Sequence, residues 1–164
     1  MEPSVYRGES ISAEEKGAFY DALAEQMDAL LEEGLDPVAN LANAASLIYL
    51  QVEGLNWAGF YRLRGDELSL GPFQGKPACT RIAMGKGVCG TAAANRRTEI
   101  VADVHAFPGH IACDPDSRSE LVVPLFSGDE LAGVLDLDSP RLERFDEEDG
   151  RGMERVLSVV SRYL

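Results

Sequence analysis

The sequence predicts an α+β domain, helices packed on a largely antiparallel sheet, and three observations predict it. Two amphipathic helical stripes open the chain, strand-like apolar runs fill residues 56–138, and another helical stripe closes it. The strand runs come in pairs joined by short glycine-containing turns, the signature of antiparallel hairpins. No internal repeat, low-complexity tract or linker divides the chain. Residues 12–164 are therefore expected to form a single domain behind a loose lead-in of residues 1–11.

The elements follow in order. Ser12 and Glu15 fit a capping box, and Phe19, Leu23, Met27, Leu30 and Leu31 then form one stripe that Gly34 ends. Asp36 and Pro37 repeat the start signal as N-cap and first helical residue. Val38, Leu41, Ala45, Ile48 and Val52 supply the second stripe, stopped by Gly54. Residues 56–63 (NWAGFYRL) are aromatic-rich and turn through Arg64-Gly65-Asp66 into a partner strand at 68–74. Residues 81–84 read as a short strand and 91–95 as a short helix behind a glycine-rich turn. A strand over 98–101 runs into an irregular stretch, HAFPGHIACDPDSRSELVVP (105–124), with no periodicity until Leu121. A second hairpin spans 121–126 and 130–138, and Asp146 caps a closing helix with Met153, Val156, Leu157, Val160 and Tyr163 inward.

Composition narrows the function. With 164 residues, 45% hydrophobic and 26% charged, the chain can bury a core without staples. A formal net charge of −13 argues against nucleic acid or an anionic membrane as partner. No apolar run reaches membrane length and the N-terminus lacks a basic-then-apolar signal, so a cytoplasmic location is expected. Three cysteines in a reducing compartment do not suggest a disulfide framework; they are core residues or redox-active ones.

Any single cysteine is more often buried than reactive. Cys113 nevertheless sits among Gly109, His110, Asp114 and Asp116, a polar context that suits a reactive thiol. Cys89 lies in the glycine-rich turn GKGVCGT at a helix start, whose N–H groups and dipole favour a thiolate. Cys79, in GKPACTR, is expected in a mobile loop, and all three are taken to be loop-placed. Three thiols with His105 and His110 also admit zinc or a cysteine–histidine dyad. The spacings of ten and 24 residues between successive cysteines are not those of a zinc finger or ribbon, and no metal is assigned.

Strand alternation puts Ala132, Val134, Asp136 and Asp138 on one face, with Leu131, Gly133, Leu135 and Leu137 on the other. Glu120 begins the partner strand, so three carboxylates can converge at one end of the hairpin. Crowding raises the pKa of one member, leaving a proton available near neutral pH and a site for a cation. A solvated acidic strand end is the plain alternative. Trp57, the lone tryptophan, is a core residue by default, but its wide face also suits a small methyl or cation.

With these residues in hand the chain resembles the free methionine-R-sulfoxide reductases, a family of GAF-domain enzymes. The motifs that carry the resemblance are NWAGFY, LGPFQGKPAC, GKGVCGTAA, VADVHAFPGHIACD, SELVVPL and GVLDLDSP, spanning residues 56–140. The resemblance implies a GAF fold and reduction of free methionine-(R)-sulfoxide to methionine, with no bound cofactor. It implies that Cys113 attacks the sulfoxide sulfur and becomes a sulfenic acid, and that Cys79 closes a disulfide that thioredoxin reopens. Cys89 falls at a third family position, assisting binding or catalysis. Asp138 and Glu120 are expected to supply the proton, Trp57, Asp136, Asp138 and Glu120 to bind substrate, and backbone N–H groups at Ile111, Ala112 and Cys113 to hold its carboxylate. GAF domains often pair through their helices, which allows a homodimer. A non-catalytic GAF sensor of a small ligand is the competing reading, though three motif cysteines make it an awkward one.

Overall fold

The computed structural model describes residues 6, 9–111 and 113–164. The elements run α1 (Lys16–Leu30), α2 (Pro37–Gln51), β1 (Trp57–Arg64), β2 (Glu67–Gly75), β3 (Arg81–Ala83), α3 (Gly87–Asn95), β4 (Glu99–Val101), a 3-10 turn (Val104–Ala106), β5 (Ser119–Ser127), β6 (Glu130–Ser139) and α4 (Glu147–Ser161). Among the described residues the strands form one six-stranded sheet, ordered β3-β2-β1-β6-β5-β4, and every neighbouring pair is antiparallel. The second hairpin thus slots β6 against β1, at the centre of the sheet.

Period-two alternation sorts the central strands onto two faces. Ala58, Phe60, Leu121, Val123, Leu125, Leu135 and Leu137 pack under α1, α2 and α4 in the larger core. Trp57, Tyr61, Val122 and Val134 point the other way, toward α3 and the loops. Burying the apolar rows on one side fixes the register, because a one-residue slip would expose them all.

Several expectations hold. Asp36 accepts from the N–H of Val38 ahead of Pro37, and Asp146 forms a complete capping box with Asp149. Gly65 and Gly128 adopt positive φ in the two hairpin turns.

Others are corrected. The first helix starts at Lys16 with no side-chain cap, so Ser12 and Glu15 form no capping box. Tertiary contacts set that end instead: Lys16 Nζ lies 2.8 Å from both Asp146 and Asp149, and Tyr20 donates to Asp149 at 2.7 Å. Val38 is exposed at the start of α2, while Ala44 and Leu47 join the buried stripe. Strand β5 begins at Ser119, so the irregular stretch ends before Leu121. The pairing Leu125–Gly133 steps to Phe126–Leu131, leaving Ala132 as a bulge. Beyond it the faces exchange: Ala132 packs with the helix-side core and Leu131 with the opposite cluster, the reverse of simple alternation.

Candidate active site

Register assembles the acidic residues. Asp138 on β6 pairs with Trp57 on one side and Glu120 on the other, and Asp136 pairs with Gly59 and Val122. Glu120, Asp136 and Asp138 are each less than a tenth exposed, at 6%, 6% and 8%. They share a cavity with Trp57, Tyr61, Ile82, Val88, Cys89, His110, Ile111 and Cys113. The cavity measures about 40 Å³.

Burial in apolar surroundings pushes all three carboxyls above the usual carboxylate range. For Glu120 and Asp138 the nearby charge of Asp136 adds to the rise. For Asp136, hydrogen bonds from Glu120, Asp138 and Cys89 oppose it. The three carboxyls titrate as a unit, with the push toward the protonated form greater on Glu120 and Asp138 than on Asp136. Asp136 Oδ1 is buried with no hydrogen-bond partner, an acceptor left open to a donor in the cavity.

The cysteines divide in two. Cys79 and Cys113 are joined by a disulfide, their Cα atoms 5.5 Å apart across a sequence separation of 34. Cys89 is not in a loop: it lies in the first turn of α3, 4% exposed, with Sγ 4.0 Å from Glu120 Oε2. The expected helix over 91–95 thus starts at Gly87, and Gly90 lets it seat, since a Cβ there would meet the Ala83 carbonyl at 2.4 Å. Burial, then the charges of Asp136 and Glu120, pushes the Cys89 thiol well up, so it is protonated near neutrality. This reverses the thiolate expected from the helix N-terminus: the dipole is outweighed by desolvation and three carboxyls.

Of the expected backbone donors, Ile111 lines the cavity, Ala112 lies outside the described residues, and the Cys113 N–H donates to the Ile111 carbonyl at 3.1 Å. His110 faces the cavity with its pKa lowered by burial and by His105. His105 is exposed beside Asp103. Trp57 lines the cavity in parallel stacks with Tyr61 and Phe73, ring centroids 5.9 and 5.2 Å apart.

Sequence reasoning missed three residues that tether the cysteine loops. Tyr61, four residues along the same strand from Trp57, donates from its hydroxyl to the Cys79 carbonyl at 3.0 Å. Strand alternation from Trp57 was the signal for it. Asn56 donates to Asp114 and Ser117 at 3.0 Å each, and Lys76 reaches Asp114 and Asp116. For Asn56 and Lys76 no local pattern gave notice.

Chemically the site can hold a cation: Cys89, Glu120 and Asp136 bring three ligand atoms within 4.8 Å of one another, a spacing open to an ammonium group or a metal ion. It can also hand a proton from a carboxyl to a group beside Cys113. A curled antiparallel sheet, helices on one face and a roofed small-molecule cavity on the other, defines a GAF-type domain, here with a cysteine pair in its roof. The GAF-domain profile matches residues 26–164. The free methionine-R-sulfoxide reductase of Escherichia coli is 46% identical, over 91% of this chain and 90% of its own. The structure of the Neisseria meningitidis free methionine-R-sulfoxide reductase in complex with its substrate superposes with a TM-score of 0.89 at 43% identity, covering 96% of this chain and 95% of that one. A Burkholderia vietnamiensis structure described as a GAF sensor protein is 57% identical with a TM-score of 0.87, covering 91% and 95%. The chain belongs to the GAF-domain family, among the free methionine-R-sulfoxide reductases.

Proposed function

We propose that the protein is a free methionine-R-sulfoxide reductase that works through Cys113 and Cys79. It reduces free methionine-(R)-sulfoxide to methionine. The observation that carries the reading is the Cys79–Cys113 disulfide set over a cavity walled by three buried carboxyls.

The residues take these roles. The Asp136 carboxylate, with its open Oδ1, receives the substrate ammonium group, and Trp57 packs on the methyl end. Oxide is a poor leaving group, so Glu120 or Asp138 gives its proton to the sulfoxide oxygen as the Cys113 thiolate attacks sulfur. The oxygen passes to Cys113, which becomes a sulfenic acid while the substrate sulfur gains two electrons. The Cys79 thiolate then attacks the Cys113 sulfur: an S–S bond forms, the S–O bond breaks, and the oxygen leaves as water with a proton. Thioredoxin, the proposed donor, reopens the disulfide by thiol exchange. Backbone N–H groups at Ile111 and Ala112 are proposed to hold the substrate carboxylate once the loop relaxes. Cys89 stays a neutral thiol in the wall, donating to Glu120.

The test is turnover of each epimer of free methionine sulfoxide with a thiol reductant. Consumption of the R epimer alone is expected, with a peptide-bound sulfoxide spared because its ammonium and carboxylate have become amides. Cys113→Ser should abolish turnover and Cys79→Ser should allow about one turnover per protein in the absence of reductant. Multiple turnover by Cys113→Ser would overturn the assignment.

A further inference from the structure

Lys76 is one of three lysines in a chain of net charge −13. It stands three residues before Cys79, and Asp114 and Asp116 stand one and three residues after Cys113. Its ammonium pairs with the Asp116 carboxylate and lies 4.0 Å from Asp114 Oδ1.

Hydrogen bonds fix each loop to the sheet. The Lys76 carbonyl accepts from Trp57 Nε1 at 3.0 Å, and the Cys79 carbonyl accepts from Tyr61 at 3.0 Å. On the other side Asp114 accepts from Asn56 at 3.0 Å and, through its second oxygen, from the Asp116 N–H at 2.9 Å. Asp114 is therefore a buried carboxylate held in place, its side chain 8% exposed, while Lys76 is 62% exposed and otherwise free to swing. Charge crosses from one cysteine loop to the other at Lys76.

We infer that Lys76 is a positioning residue for the recycling step, docking the Cys79 loop on Asp114 and Asp116 so that the second thiol meets the Cys113 sulfenic acid. The inference rests on the roles proposed above for the two cysteines. Lys76 does not line the cavity. It raises the effective concentration of one thiol at the other after the first disulfide has been reduced and the covalent link is gone. An exposed ion pair is a weak and salt-screened device, which suits loops that must part to admit substrate and thioredoxin.

The test separates the two chemical steps. Reduced protein, freed of reductant, is mixed with one equivalent of free methionine-(R)-sulfoxide. Methionine release reports the first step, and a dione trap with mass spectrometry follows sulfenic acid against disulfide. Lys76→Ala should leave methionine release unchanged and slow disulfide closure roughly three- to fivefold, so that trapped sulfenic acid accumulates. Closure in the parent protein should slow as salt rises, and in Lys76→Ala it should be insensitive to salt. Lys76→Arg should keep the parent rate, Lys76→Asp should be slower than Lys76→Ala, and Lys76→Asp with Asp116→Lys should recover most of the loss. Unchanged closure in Lys76→Ala and Lys76→Asp would overturn the inference. Failure of the parent protein to form a trappable Cys113 sulfenic acid or the disulfide would instead overturn the cysteine roles themselves.

Discussion

Three carboxyls crowded in a buried cavity resist ionising together, and that fact links the chemistry of the site to its stability. Glu120 and Asp138 carry raised pKa values, first from burial and then from Asp136. The sign follows. Below about pH 4 both folded and unfolded chains hold these protons and no penalty exists. As pH rises, the unfolded chain ionises freely while the folded one resists, so the cluster lowers stability through neutrality and above. Glu120→Gln should therefore raise the melting temperature at pH 8, with the gain shrinking toward pH 4. It should also reduce kcat by about 10²–10⁴-fold, the usual worth of a positioned proton donor. In the parent protein kcat should fall as pH rises through the raised pKa of the cluster, because the sulfoxide oxygen then lacks its proton. Calorimetry and a pH–rate profile on the same two proteins check both halves; a Gln variant less stable at pH 8 would contradict the charge argument. Much of this was legible in the sequence. The spacing of Asp136 and Asp138 put both on one strand face, and Glu120 stood at the start of the partner strand. The buried state of Cys89 was not legible, because it follows from packing against a sheet whose carboxyls lie 31 to 49 residues further along the chain.

At the scale of elements, the site depends on how closely α3 approaches β3. Glycines at 85, 87 and 90 read in sequence as helix breakers, which hid the first turn of α3. In the fold Gly87 opens the helix at φ 62°, and Gly90 lies against backbone, its N–H bonded to Lys86 and its carbonyl accepting from Gly85 at 2.8 Å. Propensity argues against glycine in a helix; close approach argues for it, and here close approach wins. Gly90→Ala would drive a methyl into the Ala83 carbonyl at 2.4 Å, a backbone atom that cannot swing away. A cost of about 1–3 kcal/mol is expected, with loss of activity as the wall carrying Cys89 shifts. Gly17→Ala on α1 meets nothing within 4 Å and has no positive φ, so the same change there should stabilise by up to about 1 kcal/mol. Denaturant melts of the two variants test the contrast, and equal effects would count against it. Likewise the Ala132 bulge was invisible to an alternation rule that assumes an unbroken period.

At the scale of the whole molecule, the layout of helices and hairpins was readable, but two long-range facts were not. Nothing local places β6 beside β1, and nothing in a separation of 34 residues pairs Cys79 with Cys113; that pairing came from family resemblance. Those two facts decide how the fold behaves with redox state. A disulfide closing 34 residues restrains the unfolded chain by about 3–4 kcal/mol in the loop-entropy account. It also ties together the two loops that carry the cysteines, one of which, Cys113, lines the cavity. The oxidised protein should therefore be the more heat-stable form and the one that ignores ligand. The reduced protein should melt lower, and free methionine or its R-sulfoxide should raise that melt. Saturation at a hundred times Kd adds about 2.7 kcal/mol, a rise of roughly 5–10 °C for a chain of this size. Thermal melts of both redox forms, each with and without ligand, decide the matter. Comparable ligand stabilisation of the oxidised form would mean that the cavity opens without breaking the Cys79–Cys113 bond, and the loops would then be gates in their own right.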